Sequence, residues 1–470
     1  MKYWLRCLKT LLPSMYTSND SNRMYLAYFI LSACDLLDII HTSTTPAERQ
    51  DWIDWIYHCQ HPNGGFRMWP GTDFGERAST DNAKWDPANI NATYFALTSL
   101  LILGDDLKRV NRKQTLRWVH DMQRDDGSFG ETLVNGKQEG GRDPRLGYCA
   151  TGVRYILRGA TAPGPLNVGG ESVDDINFDK YIECIRCSEV CPAKPCHTLL
   201  QHTDTSCKSF DGGIADAPFH EPQAGYTFCS LGSLAFLSRL EPGHVTQARP
   251  GYGPSSPPDV ARWLLSLQTT FIDPEMPPTT DLSIPLPAPT DLSDDEDEVD
   301  SKAATTSKPE RQQPQSEQQT SPTLHQSPDK STMWAPSSTL DTTLLTSTHT
   351  PTPHSGICGR PSKPADTCYA FWAGASLHLL SSAHLSSTPA LRHYLLALTQ
   401  HPIMGGFSKF PGDKWADLYH SYLGLAALSL VSTAEERGSD GVKALDAGMC
   451  VSKDVRERLE GGVWEGLRGG

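Results

Sequence analysis

A short glycine-rich turn that recurs along the chain constrains its fold more than any other feature. Copies lie at residues 60–66 and 123–129, a variant lies at 400–407, and weaker copies lie at 210–214 and 356–359. A tryptophan precedes a glutamine by five residues in the pairs Trp55/Gln60, Trp118/Gln123 and Trp263/Gln268. Signals that recur in this way predict one supersecondary unit stacked several times.

Each turn is followed, after a polar stretch, by a segment of small and apolar residues. These segments are residues 87–103, 144–157, 223–237, 365–380 and 417–430. The segments before the turns are more amphipathic, for example residues 113–122 and 259–267. A helix that is apolar all round is buried, whereas an amphipathic helix has one face in water. The alternation predicts an all-α fold, an α/α toroid barrel with two concentric layers of about six helices each. An open solenoid is the competing architecture.

Two segments interrupt the repeat. Residues 273–353 are rich in Ser, Thr, Pro, Gln and acidic residues, so we expect a long disordered insertion. Residues 189–205 form a second insertion inside a predicted outer helix, and two interpretations stay open: a second zinc or iron–sulfur site, or a retained intron as a gene-model artefact. The side chains that raise the first interpretation are Cys184, Cys187, Cys191, Cys196, Cys207, His197 and His202. The rest of residues 1–470 is expected to form a single barrel domain.

Composition excludes several classes of protein. The 470 residues carry a formal net charge of −14 and are 38% hydrophobic. No apolar run approaches the roughly 20 residues of a membrane-spanning helix, so no membrane span is expected. The acidic balance also argues against nucleic acid as a partner. Residues 1–13 lack the cleavage site of a secretory signal, and 13 cysteines without such a signal indicate a reducing, cytoplasmic location.

The starts of two predicted inner helices carry residues that can bind a metal ion. Asp366 and Cys368 lie at one start, and His420 lies at another. Sulfur, oxygen and nitrogen donors together suit zinc, and three protein ligands leave a fourth position open, as catalytic zinc sites do. A helix-capping Asp, a core Cys and an ordinary His form the competing interpretation. The equivalent positions of the two segments in the repeat favour the metal site.

The glycine-rich repeat, together with Asp366-Thr-Cys-Tyr369 and Asp417-Leu-Tyr-His420, resembles the β subunits of protein prenyltransferases. That family consists of α/α barrels that pair with a helical-repeat α subunit and attach farnesyl or geranylgeranyl to C-terminal cysteines. The resemblance implies one zinc ion held by Asp366, Cys368 and His420. It also implies a heterodimer with a prenyltransferase α subunit, and CaaX protein substrates such as Rho/Rac-type GTPases.

The resemblance further assigns the isoprenoid diphosphate to Arg360, Lys363 and Tyr369, together with Gln223, which stands where the family has a histidine. Lys409 distinguishes the subclasses of the family, and it is predicted to be a catalytic residue together with the three zinc ligands. Farnesyltransferases carry an acid for Mg²⁺ at this position, whereas type I geranylgeranyltransferases carry a lysine. The expected donor is therefore geranylgeranyl diphosphate, and Mg²⁺ is not expected to be required.

The peptide and isoprenoid pocket is expected to contain Arg145, Tyr148, Tyr25, Phe29 and Tyr419. Arg145 matches an arginine that recognises the peptide carboxylate through water. Tyr25 stands where type I enzymes have a threonine and farnesyltransferases a tryptophan. Asn89 replaces an expected histidine of the peptide-carboxylate environment.

The best match is the catalytic β subunit of a type I geranylgeranyltransferase. A farnesyltransferase β subunit is the alternative within the class, because of Tyr25, and a Rab-type enzyme resembles this chain less around residues 360–363. An inactive scaffold paralogue is a further alternative, because of Gln223 and the interrupted helix. A terpene cyclase shares the barrel but would need an acidic initiator motif in the cavity.

Overall fold

The computed structural model of the chain describes residues 1–159, 161–189, 212–238, 253–271 and 355–468. All of these residues belong to one compact unit. The predicted insertion at residues 273–353 lies outside the described residues, as does the predicted insertion at 189–205 except for its first residue. The interpretations of both insertions, and the single-domain assignment of residues 1–470, therefore stay predictions.

The described part of the chain is mostly helical. Its helices are α1 (Lys2–Lys9), α2 (Arg23–Leu36), α3 (Ile39–Thr42), α4 (Pro46–His58), α5 (Ile90–Leu103), α6 (Arg112–Asp121), α7 (Pro144–Arg158), α8 (Phe178–Cys187), α9 (Ala224–Ser238), α10 (Pro257–Ser266), α11 (Thr367–Leu379), α12 (Thr388–His393), α13 (Leu418–Val431), α14 (Ala434–Asp440), α15 (Lys453–Arg458) and α16 (Trp464–Arg468). A π-helical turn, Tyr394–Thr399, continues α12. Among the described residues, no helix is both long and apolar enough to span a bilayer.

Four small antiparallel sheets of two strands each lie between the helices of the described residues. They pair β1 (Thr132–Val134) with β2 (Lys137–Glu139), β3 (Leu166–Val168) with β4 (Glu171–Val173), β5 (Gln268–Thr269) with β6 (Gly356–Ile357), and β7 (Leu445–Asp446) with β8 (Val451–Ser452).

The inner helices form a closed ring. In order around the ring they are α2, α5, α7, α9, α11 and α13, each packed against the next, and α13 packs against α2. The outer helices α1, α4, α6, α8, α10 and α12 each pack against the inner helix that follows them. This ring confirms the predicted α/α toroid barrel. It also explains the apolar segments of the sequence, because α5 is buried on nearly every side.

The glycines of the repeated turns are required for two reasons. Gly64 has a φ of +107° and Gly127 a φ of +89°, in the region that side chains disfavour. A Cβ on Gly64 would lie 2.5 Å from the carbonyl oxygen of Gln114 in α6, and one on Gly127 would lie 2.1 Å from that of Lys180 in α8. Each turn therefore packs directly against the backbone of the next outer helix.

The repeated glutamine joins neighbouring units. The side-chain oxygen of Gln123 accepts a hydrogen bond from the backbone N–H of Asn177 (2.6 Å), and its amide donates to the carbonyl of the same residue (3.0 Å). Asn177 caps α8, the next outer helix. Equivalent pairs of bonds join Gln60 to Asn111 and Arg109, and Gln268 to Ser387. A carboxamide is needed here because one side chain must both donate and accept.

Both predicted insertions fall between an outer helix and its glycine turn. Gln268 pairs with Ile357 across the gap that contains residues 273–353. Glu189 bridges Ile214 across the gap that contains most of residues 189–205. These pairings correspond to the Gln–Phe bridge at Gln60 and Phe66. The repeat unit therefore closes in the same way in units with and without an insertion.

A segment near the C-terminus lies against the inner helices. The carbonyl oxygens of Gly448, Met449 and Cys450 accept hydrogen bonds from tyrosine hydroxyls of the inner helices. The donors are Tyr148 (2.8 Å), Tyr94 (2.8 Å) and Tyr28 (3.0 Å), respectively. This segment was not predictable from the sequence, because its contacts use backbone carbonyls, which any residue provides.

Candidate metal centre

The predicted metal ligands meet because two inner helices begin with the same cap. The carboxylate of Asp366 caps α11 by accepting the backbone N–H of Cys368 (2.7 Å). The carboxylate of Asp417 caps α13 by accepting the backbone N–H of His420 (2.9 Å). One ligand atom each from Asp366, Cys368 and His420 lies within 4.8 Å of the others. The structure thus brings the three predicted ligands together.

The cluster suits a metal ion. Asp366, Cys368 and His420 are 2%, 1% and 8% exposed. Among the described residues, Nε2 of His420 has no hydrogen-bond partner, and Oδ1 of Asp366 lies 3.5 Å from it. A buried polar nitrogen without a partner is costly, and metal ligation satisfies it. The S, O and N donors fit zinc, whose ligand distances of about 2.0–2.3 Å are compatible with this spread.

Asp417 fixes the orientation of His420. Its Oδ2 lies 2.6 Å from Nδ1 of the imidazole, so Nδ1 carries the proton and Nε2 faces Asp366. Burial lowers the pKa of His420, but the carboxylates of Asp417 and Asp366 outweigh burial and raise the pKa to about 9. The spacing of three residues between Asp417 and His420 was the sequence signal for this role, which the sequence analysis did not assign.

A second polar cluster adjoins the metal ligands, since Tyr369 follows Cys368 on α11. The amide of Gln223 donates to the hydroxyl of Tyr369 (3.0 Å), and Nη1 of Arg360 lies 2.9 Å from a carboxylate oxygen of Glu221. Lys363 lies in the same turn as Arg360, because its backbone N–H donates to the Arg360 carbonyl (3.3 Å), and its side chain is exposed. The structure therefore joins Gln223 to Tyr369 and Arg360 to the loop that carries Glu221, with Lys363 in the turn of Arg360.

Lys409 lies between the two ligand-bearing helices. Its carbonyl oxygen accepts the backbone N–H of Thr367, the first residue of α11 (3.0 Å). Its ammonium nitrogen lies 5.0 Å from the ring centroid of Phe410. Asp413 holds this loop by accepting the N–H of Phe410 (2.9 Å). Lys409 is half-buried, and its positive charge lowers the pKa of His420. This effect is consistent with an ammonium group close to the metal ligands.

The four aromatic residues of the predicted pocket belong to one continuous aromatic surface, in which the rings of Phe228 and Trp372 (centroids 5.1 Å apart) connect Tyr148 to the others. Tyr25 packs edge-on against Phe29 (centroids 4.3 Å apart), and Phe29 packs against Tyr419 (5.8 Å). The indole N–H of Trp372 donates to the Tyr419 hydroxyl (3.3 Å). Tyr148 belongs to the same lining from α7, with its ring beside those of Tyr94, Phe228 and Phe236.

Arg145 lies at the start of α7. Its guanidinium binds the carboxylate of Asp143 through Nε (2.7 Å) and Nη2 (3.2 Å), and it lies over the ring of Tyr226 (5.6 Å). Asn89 caps α5, and its amide donates to Glu131 (2.9 Å). Glu131, Glu221 and Asp413 were not predicted from the sequence, because each lies in a loop without a recurring motif.

Comparison with known proteins identifies the class of this protein. Residues 1–451 match the family described as the prenyltransferase α/α toroid domain. The chain belongs to this family, which confirms its predicted fold class and its predicted assignment as a prenyltransferase.

Individual relatives of the chain narrow the comparison to a subclass of this family. The chain is 26% identical to the type-1 geranylgeranyl transferase β subunit of Arabidopsis thaliana over 93% of this chain and 84% of the relative. It is 24% identical to the protein of the same name from Dictyostelium discoideum, over 91% and 88%. A farnesyltransferase β subunit from Schizosaccharomyces pombe is 25% identical over 51% and 49%. The predicted resemblance to type I β subunits is confirmed.

A solved structure agrees in fold. Candida albicans protein geranylgeranyltransferase-I complexed with GGPP superposes with a TM-score of 0.63 at 21% identity. The superposition covers 98% of this chain and 97% of the other. At this identity the likeness concerns the fold, and it extends over the whole barrel.

Proposed function

We propose that this chain is the catalytic β subunit of a zinc-dependent type I protein geranylgeranyltransferase. It would transfer geranylgeranyl from its diphosphate to the cysteine thiol of C-terminal CaaX sequences ending in Leu. The observation that carries the proposal is the close group of Asp366, Cys368 and His420, with Tyr369 next to Cys368 on α11. A thiol-activating centre next to a diphosphate site is what thioether formation from an isoprenoid diphosphate requires.

Asp366, Cys368 and His420 would hold the zinc ion, with Asp417 orienting the imidazole. Bound there, zinc would supply a Lewis acid that lowers the pKa of a substrate thiol from its usual value of about 8.5. The protein's own contribution is a buried, preformed group of donors. The cap of α11 fixes the Asp366 carboxylate, and the capping Asp417 of α13 fixes the His420 imidazole, so little rearrangement of these two donors is needed on binding.

The departing diphosphate gains negative charge, which cationic side chains and hydroxyls can stabilise. We assign this role to Arg360, Lys363, Tyr369 and Lys409, with Gln223 on the same side. The position of Lys409 between α11 and α13 supports a role for its ammonium in place of Mg²⁺. Mg²⁺ is therefore proposed to be dispensable.

The isoprenoid chain is assigned to the aromatic surface formed by Tyr25, Phe29, Tyr148 and Tyr419. Arg145 is assigned to the peptide carboxylate. The partner is proposed to be a prenyltransferase α subunit in a heterodimer. The relatives support this proposal because each is the β subunit of its enzyme. The proposed protein substrates include Rho/Rac-type GTPases, and the proposed location is cytoplasmic.

One observation favours a second function, that of a farnesyltransferase β subunit. Tyr25 is 8% exposed and is packed between the rings of Phe29 and Phe95. A residue of this size reduces the space for a fourth isoprene unit. The Tyr25→Thr variant of the heterodimer tests this directly. We expect the ratio of geranylgeranyl to farnesyl transfer to rise about tenfold, because removing a buried aromatic ring opens a cavity.

The decisive experiment uses the chain co-expressed with the α subunit of its own organism. Zinc content is measured first. Single-turnover transfer to a Cys-a-a-Leu peptide is then followed with farnesyl and geranylgeranyl diphosphate in competition, without Mg²⁺. One zinc per heterodimer and geranylgeranyl transfer are expected. Farnesyl preference with a Mg²⁺ requirement would favour the second function. Bound zinc without turnover would favour an inactive scaffold, and a heterodimer without zinc would contradict the proposal.

A further inference from the structure

The loop before α9 and the first residue of α9 contact the segment 359–369 at three points. The carboxylate of Glu221 pairs with Arg360 (2.9 Å), the amide of Gln223 donates to Tyr369 (3.0 Å), and the backbone N–H of Ala224 donates to the carbonyl of Gly359 (3.0 Å). All three contacts run from one repeat unit to the next. The loop therefore holds the segment that carries Arg360 and Tyr369.

Both ends of the Gln223 carboxamide are engaged. Its oxygen accepts the backbone N–H groups of Gly225 (2.9 Å) and Tyr226 (3.3 Å) at the start of α9. This pairing fixes which end of the amide is oxygen, so the nitrogen must face Tyr369. Gln223 is 5% exposed and Tyr369 is 7% exposed. The bond between them is thus shielded from water.

The direction of this bond matters for Tyr369. A hydroxyl has one hydrogen to donate and two lone pairs that accept. Because the Gln223 amide donates, the Tyr369 oxygen accepts, and its own hydrogen is directed away from Gln223. We propose that Gln223 is a positioning residue that acts through Tyr369, directing the phenolic hydrogen towards the diphosphate. This inference rests on the proposed function of the site.

The competing role for Gln223 is direct contact with the diphosphate through its second amide hydrogen. Gln223→Ser removes the amide without a change of charge, and its combination with Tyr369→Phe separates the two roles. Serine is a favoured helix cap and can accept the N–H groups at the start of α9, so the helix start is preserved. Its side chain is too short to reach Tyr369. Gln223→Asn is a second variant of the same kind, should the serine variant fold poorly.

A double-mutant cycle with Tyr369→Phe is the test, on the zinc-loaded heterodimer with the α subunit. We expect Gln223→Ser to slow single-turnover transfer about tenfold. This is the effect of losing one hydrogen bond to a charged group, here the bond from Tyr369 to the diphosphate. Tyr369→Phe should slow it at least as much. The double variant should be no slower than Tyr369→Phe, because a residue acting through Tyr369 has no effect once the hydroxyl is gone.

Asn177→Ser is the matched control, since it exchanges an exposed amide cap for serine on outer helix α8. It should leave the transfer rate and zinc content unchanged. If the rate reductions of the two single variants multiply in the double variant, the inference is overturned and Gln223 contacts the diphosphate directly. A Gln223→Ser protein with the wild-type rate would also overturn it.

Failure of the proposed function would be distinguishable. If the wild-type heterodimer transfers no prenyl group, the same cycle is measured on the affinity for inorganic pyrophosphate by calorimetry. Equal losses in both single variants and the double variant would support positioning through Tyr369 at an anion site that lacks turnover. Independent losses, or no loss in any variant, would overturn the inference on this readout as well.

Discussion

The starts of α11 and α7 have the same cap but opposite chemistry. On α11 the carboxylate of Asp366 accepts the N–H of Cys368 (2.7 Å), and on α7 the carboxylate of Asp143 accepts the N–H of Arg145 (3.0 Å). In both helices the acceptor lies two residues before the donor. One start contributes a thiol to the candidate metal ligands, and the other carries a guanidinium. The repeat therefore sets the position of this residue, and its type sets the chemistry.

The two capping carboxylates differ in their side-chain partners. Asp143 binds the guanidinium of Arg145 from its own helix (2.7 Å). Asp366 instead lies 3.5 Å from Nε2 of His420, which belongs to α13. The candidate metal cluster thus needs two neighbouring helices, whereas the charge pair of Asp143 and Arg145 forms at the start of one. Substitutions on α13 should affect the first site and leave the second intact.

The largest effect is expected for Cys368→Ser, which removes the sulfur donor. Zinc content and transfer should both fall more than about 100-fold, because changes even to the outer partners of metal ligands cost about 10–100-fold. Single-turnover transfer and zinc analysis of the heterodimer provide the measurement. Arg145→Ala, at the corresponding position of α7, is the comparison and should retain full zinc. Full zinc in the serine variant would refute the proposed ligand set.

Asp417→Asn should have the next largest effect. Asparagine keeps a cap for α13 but no longer offers a carboxylate to Nδ1 of His420. Zinc affinity should fall about 10–100-fold, as at other sites whose outer carboxylate is removed. Competition with a chelator measures the change. Asp143→Asn on α7 is the matched control and should not alter zinc affinity; an equal loss in both variants would point to a general effect on the barrel.

Arg145→Ala should weaken binding of the peptide substrate alone. The KM for the peptide should rise about tenfold through loss of a charged hydrogen bond, while the KM for the isoprenoid diphosphate stays the same. Steady-state kinetics with each substrate varied in turn measures both constants. A rise confined to the donor KM would show that the arginine of α7 serves the diphosphate, and the division of roles between α7 and α11 would then be wrong.

The fold was predictable because its signals recur. A Gly-Gly pair, a preceding Gln and an apolar helix appear several times, and the structure gives each a packing reason, such as the contact of Gly64 with Gln114. The candidate metal cluster was predictable because Asp366 and Asp417 start equivalent helices of that repeat, which brings Asp366, Cys368 and His420 together. Periodic signals of this kind can be read from sequence since each copy supports the others.

The remaining parts of the site carry no such signal. Glu221 pairs with Arg360 across 139 residues of chain, and the carbonyl of Met449 meets the hydroxyl of Tyr94 across 355. Such contacts depend on how loops from different units meet once the ring has closed. The direction of the bond between Gln223 and Tyr369 likewise follows from the cap of α9, which sequence alone does not specify.

The smallest effect is expected for Glu221→Gln. This substitution removes the carboxylate partner of Arg360, which differs from the partner of Arg145. Arg145 has its carboxylate within the same helix, whereas Arg360 receives one from the neighbouring unit, with Glu221 55% exposed at its side chain. An exposed carboxylate competes with the incoming diphosphate for the guanidinium. Removing its charge should lower the KM for the isoprenoid diphosphate by roughly twofold to fivefold, the range of exposed ion pairs, and the effect should shrink with added salt. An increase in KM would mean instead that Glu221 is needed to hold Arg360 in place.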